Sequence, residues 1–130
     1  VKTKYIEPTL PGPKSLYKLL DEISPYASYA AIEATSHGLQ QYRMHTVKVE
    51  VAGFTNLTQD HLDYHGTMHE YFKAKTILFK EILKTDNFAV YNKSSSYFKE
   101  LVAIHPKHMS YGTMDSDIYA TNIKNSIIII

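Results

Sequence analysis

The stretch Val47–Phe79, VKVEVAGFTNLTQDHLDYHGTMHEYFKAKTILF, runs through three kinds of local order in succession. Val47 to Thr55 alternates and then turns fully apolar, the pattern of a strand feeding a loop. TNLTQDHLDYHG follows with hardly any aliphatic filler and packs Asn56, Asp60, His61, Asp63 and His65 together. Thr67-Met68-His69-Glu70 then fits a capping box, in which the Thr67 hydroxyl and the Glu70 carboxylate satisfy amide donors of a first helical turn. On a helix that starts there, residues 68, 71, 72, 75, 79 and 82 share one face by the three-and-four spacing. Strands that enter polar loops from one edge of a sheet are where α/β proteins place chemistry.

Outward from this stretch, strand and helix patterns alternate. Lys14 to Ile23 has a helical period closed by Ser24-Pro25, and Tyr29 to Ala34 (YAAIEA) suits a strand buried on both faces. That run ends in TSHGL, where Gly38 permits a turn. Asn87–Asn92 reads as a strand, Ser94–Ile104 as a helix, His108–Gly112 as a short strand and Asp117–Ile130 as extended. The alternation predicts an α/β fold, a mostly parallel sheet flanked by helices.

Composition narrows the function. With 130 residues, 44% hydrophobic and 21% charged, the chain is one modest domain of ordinary soluble character. A net charge of +1 gives no basic field for nucleic acid or an anionic membrane. Cysteine is absent, which removes disulfides and thiolate metal sites and fits a reducing compartment. The aliphatic run Ile127–Ile130 is far too short to span a bilayer and reads as a strand cut short. Val1 opens the chain as though mid-fold, so both ends suggest a piece of a longer protein.

Lys75 is out of place on an apolar helical face. It either buries its stem and sends its ammonium to water, or is partly desolvated beside the polar loop, where burial lowers a lysine pKa. A neutral amine can add carbon dioxide and become a carbamate, an anionic oxygen ligand for a hard metal. Glu33, at the end of the apolar run, is costly to bury unless it is paired, hydrogen-bonded or metal-bound. Glu33, His61 and a carboxylated Lys75 would together offer oxygen and nitrogen donors to magnesium. His61 and His65 also have a spacing that could suit zinc, and with Asp60 and Asp63 they leave open a small metallohydrolase. For His65 alone a hydrogen-bonded structural role is the favoured reading.

The segments EATSHGLQQYR (Glu33–Arg43) and FTNLTQDHLDYHGTMHEYFKAKTILF (Phe54–Phe79) resemble the Mur ligase family, specifically its MurE-type UDP-N-acetylmuramoyl-tripeptide synthetases. The resemblance extends from the opening residues to about Ile123. It implies that residues 1–130 are the second part of the central, ATP-binding domain of a cytoplasmic ligase of peptidoglycan precursor synthesis. In that family ATP phosphorylates the carboxylate of UDP-MurNAc-L-Ala-D-Glu, and the amine of diaminopimelate or lysine attacks the acyl-phosphate. Carried over by motif, Glu33, His61 and a carbamylated Lys75 are catalytic residues and ligands of Mg2+. Thr9, Thr35, Gln41 and Arg43 are implied to bind the UDP-MurNAc-dipeptide, and Asn56 and Asp60 to shape the loop near the nucleotide. Leu10 departs from the family's threonine pair. No phosphate loop of the G-x-x-x-x-G-K-S/T type occurs, and the family's N- and C-terminal domains are missing, so the isolated piece is expected to be inactive. The alternative expectation is a truncated remnant that at most binds metal or substrate.

Overall fold

The computed structural model describes residues 10–121. Strands β1 (Val49–Phe54), β2 (Leu83–Asn92), β3 (His108–Gly112) and β4 (Ile118–Tyr119) form one sheet whose spatial order follows the sequence. Every neighbouring pair is parallel, with Ala52 beside Ala89, Tyr91 beside Ser110 and Tyr111 beside Ile118. Parallel neighbours need crossovers. The first is built from α3 (Leu62–His65), α4 (Met68–Ile77) and a π-helical turn, Leu78–Ile82; the second is α5 (Phe98–Ile104). Two further helices precede the sheet, α1 (Pro13–Ile23) and α2 (Ser36–Gln40). The α/β expectation with a parallel sheet and flanking helices is met.

The α4 face supplies the core. Thr67 caps it, its hydroxyl accepting from the Glu70 amide at 3.2 Å. Tyr71, Phe72, Phe79 and Ile82 are buried, and Met68 packs against them half-buried. Phe54 of β1 meets Phe72 edge-on at 6.2 Å between ring centres, and Phe79 meets Tyr91 of β2 at 5.4 Å. Past Ile77 the wider π-helical turn keeps Leu78, Phe79 and Ile82 inside while the chain swings into β2. Such turns interrupt α-helices at single sites.

Several expected elements differ. Tyr29–Ala34 is not a strand: Tyr29 is 93% exposed, and no ladder partner joins it among the described residues. An apolar run does not make a strand without a neighbour for its amides. Tyr29, Ala30, Ile32 and Ala34 instead line an open groove of about 440 Å3 together with residues of β1 such as Val49 and Val51. Gly38 lies inside α2 and makes no turn. A Cβ there would fall inside van der Waals distance of Leu10 Cδ2 and 2.9 Å from Thr35 Oγ1, so the glycine permits close packing. The helix expected from Ser94 begins at Phe98, because Asn92 Oδ1 accepts from the Ser94 amide at 2.9 Å and turns occupy the intervening residues. Asn and Ser offer the backbone local alternatives to a helix. Of the extended stretch from Asp117, Ile118–Tyr119 is strand; residues 122–130, including the isoleucine run, lie outside the described residues. No helix among the described residues is long and apolar enough to cross a membrane.

Candidate metal and substrate site

Lys75 occupies the inward face of α4 and is half-buried, while Lys73 is exposed and lies 3.7 Å from Glu70. The Lys75 ammonium donates to the Ala34 carbonyl at 3.0 Å. Burial pushes its pKa below the ordinary lysine value, and the charge of nearby Glu33 opposes that shift. The amine also borders a small cleft of about 70 Å3, together with Ala34, Gly53, Thr55 and Asn56. The lysine thus faces inward, as its position on the stripe suggests.

Across from it, the loop after β1 is held in an unusual conformation. His61 has φ +53°, a left-handed value uncommon outside glycine, and its amide donates to Asp60 Oδ1 at 2.8 Å. Its ring Nε2 is 3.4 Å from Asp60 Oδ2, and the ring meets Tyr71 edge-on at 5.9 Å. Burial, then Asp60 and Glu33, push the Tyr71 phenol upward, so Tyr71 lies in the electrostatic reach of both carboxylates. Glu33 itself is exposed, which corrects the expectation of a carboxylate costly to bury; it sits on the rim, one residue before the carbonyl that Lys75 holds.

His65 is buried and shares a hydrogen bond with Ser36 Oγ at 2.8 Å. Its ring stacks on Tyr71 at 4.9 Å and 17°. Burial comes first, then His37, His61 and Lys75, in lowering its pKa, while Asp63 opposes them. His37, which the sequence did not mark out, lies 5.2 Å from His61, 5.5 Å from His65 and 3.9 Å from Tyr64 between ring centres. Ser36, also unmarked, is 2% exposed. Neither stands out in TSHG, because a serine or histidine beside a cap residue carries no pattern of its own; only the partner contributed by α3 distinguishes them.

The expected substrate residues flank α2, Thr35 at its N-terminal end and Gln41 and Arg43 at and just past its C-terminal end. Thr35 Oγ1 accepts from the Gly38 amide at 3.1 Å and caps the helix. Arg43 Nη1 donates to the Leu10 carbonyl at 2.6 Å, and Nη2 donates to Gln41 Oε1. The guanidinium plane is thereby fixed next to Gln41. Leu10 is 1% exposed and belongs to the core, packed on Gly38. Thr9 lies outside the described residues.

The donor set has a definite chemical shortfall. Among the described residues no three His, Cys, Asp or Glu side chains come together so as to hold a metal ion. The grouping of Asp60, His61, Asp63 and His65 therefore makes no metallohydrolase centre, and His65 Nε2 is already engaged by Ser36. A carbamate on Lys75 would add anionic oxygens beside Glu33, and hard oxygen donors with one imidazole suit magnesium.

Residues 1–127 match the model of the Mur ligase middle domain. The chain is 36% identical over 121 residues to the UDP-N-acetylmuramoyl-L-alanyl-D-glutamate–2,6-diaminopimelate ligase of Anaplasma marginale (strain St. Maries), covering 91% of this chain and 26% of that protein. It is 38% identical over 125 residues to the corresponding L-lysine ligase of Staphylococcus haemolyticus (strain JCSC1435), covering 92% of this chain and 25% of that protein. A solved structure of a 2,6-diaminopimelate ligase superposes with a TM-score of 0.67 at 33% identity, over 82% of this chain and 23% of that one. The chain thus spans about a quarter of the length of these relatives. With the parallel sheet and the Glu33–Arg43 and Phe54–Phe79 segments in place, the chain belongs to the Mur ligase middle-domain family.

Proposed function

We propose that this chain is the portion of an ATP-dependent amide-bond ligase that carries the metal-binding loop and part of the peptide-substrate site. The reaction adds diaminopimelate or lysine to UDP-MurNAc-L-Ala-D-Glu through an acyl-phosphate, in peptidoglycan precursor synthesis, and the nucleotide-linked substrates put it in the cytoplasm. The relatives' names support the substrate class, and both amino acids occur among them. Residues 1–130 are the second part of the central domain and act with the remainder of a ligase; the isolated chain is inactive.

One observation carries the reading: Lys75 is half-buried, donates to the Ala34 carbonyl and lies within the field of Glu33. In its neutral form the amine lone pair attacks the carbon of CO2, an N–C bond forms, one C=O π pair moves onto oxygen, and the nitrogen proton passes to water. The cation becomes an anion on a rigid helix. Glu33, His61 and the Lys75 carbamate are the residues that would hold Mg2+, which when bound neutralises phosphate oxygens during phosphoryl transfer. Asp60 orients the His61 backbone, Asn56 borders the cleft beside Lys75, and Thr35, Gln41, Arg43 and Thr9 contact the UDP-MurNAc-dipeptide.

The test is 13C NMR of the chain in 13C-bicarbonate. A carbamate resonance is expected in the parent and in Lys73→Ala, and is absent in Lys75→Ala. In a full-length ligase carrying this segment, Lys75→Ala should remove most activity, and short carboxylic acids should restore part of it. A parent without the resonance, or a fully active Lys75→Ala ligase, would refute the assignment.

A further inference from the structure

We propose that Ser36 and His65 are a positioning pair, a buried brace that sets the spacing of Glu33, His61 and Lys75. This inference rests on the metal site of the proposed function. The Ser36–His65 hydrogen bond, 2.8 Å long, joins α2 to α3 across 29 residues of sequence, and both partners are buried. Glu33 lies one short segment before Ser36, and His61 one helical turn before His65, whose amide donates to the His61 carbonyl at 2.9 Å. Closing the hydrogen bond therefore draws together the two backbones that carry Glu33 and His61.

The third corner is fixed by the same ring. His65 stacks on Tyr71, and Tyr71 sits one turn before Lys75 on α4. The Glu33–Ser36 segment is thus tied to the crossover twice, by Lys75 at Ala34 and by His65 at Ser36. The first tie uses the ammonium that becomes a carbamate. Conversion replaces a three-donor cation by a planar group with a single N–H, so the Ala34 contact cannot persist unchanged. The Ser36–His65 bond does not involve Lys75 and stays closed through that change. Partners behind a ligand shell that fix its geometry commonly govern metal affinity.

The experiment follows Mn2+ titrated into the 15N-labelled chain in bicarbonate buffer, read as paramagnetic broadening of the Glu33, His61 and Lys75 amides. His65→Phe keeps a ring over Tyr71 and removes the hydrogen bond; Ser36→Ala removes it from the other side with little change of volume. Each should weaken Mn2+ binding about 10- to 100-fold, while the amide spectrum of the sheet stays dispersed. His65→Gln, which can still reach Ser36, should recover most of the loss. If His65→Phe disturbs the sheet spectrum, Ser36→Ala decides the question. Parent affinity in folded Ser36→Ala, or no recovery in His65→Gln, overturns the brace and leaves the metal site standing. Absence of broadening at all three amides in the parent overturns both.

Discussion

At the scale of single residues, Lys75 and His65 show opposite degrees of legibility. Lys75 is readable because it breaks an apolar stripe, and helix phase puts it on that face; which of its two possible environments holds is decided by the Ala34 carbonyl it reaches. The role of His65 needed Ser36, which comes from a helix 29 residues earlier. The two also differ in what pH should do. Burial holds His65 below the ordinary histidine value of 6.5, with His37, His61 and Lys75 adding to the effect. Between its folded value and 6.5 the unfolded chain binds more protons, so stability rises with pH through that window and is lost on acidification. Urea midpoints at pH 5 and pH 7 should therefore differ more in the parent than in His65→Gln, which does not titrate. Equal midpoint differences in the two proteins would show that His65 has no depressed pKa.

At the scale of elements, α4 was legible at its start and illegible at its end. The Thr67 hydroxyl caps the first turn as the sequence suggests, and Thr67→Ala should cost about 1 kcal/mol of stability, read by urea denaturation. The π-helical turn that follows has no sequence mark, since Leu78, Phe79 and Ile82 satisfy an α-helical stripe equally well. The short helix α2 has no clear sequence mark for a related reason. Its Gly38 suggests a turn until Leu10 is seen against it, a contact between positions 28 residues apart. Gly38→Ala should destabilise the chain by about 1–3 kcal/mol through overpacking. Adding Leu10→Ala should make the pair less costly than the sum of the single changes, because the shortened side chain vacates the space the new methyl needs. Strict additivity in that cycle would place the clash elsewhere.

At the scale of the whole molecule, periodicity and turn chemistry sufficed for the parallel sheet, whereas Tyr29–Ala34 shows where composition fails. Its residues suit a central strand, yet no strand pairs with it among the described residues, and β1, which lines the same groove, is likewise an edge strand of the described sheet. Lys48 and Glu50 are exposed there, and Val51 is 60% exposed. An apolar strand edge without cover is a template for pairing with another chain, and charge on such an edge discourages it. The 130-residue chain should therefore self-associate with rising concentration, seen as a growing heavier species in sedimentation velocity. Val51→Lys should reduce that species with little loss of folding stability, because the side chain points to solvent and removes no core contact. Phe88→Lys on β2 is the control: Phe88 is also exposed, at 43%, but its strand is paired on both sides. If both substitutions suppress association equally, general surface apolarity drives it; suppression by Val51→Lys alone locates it at the β1 edge.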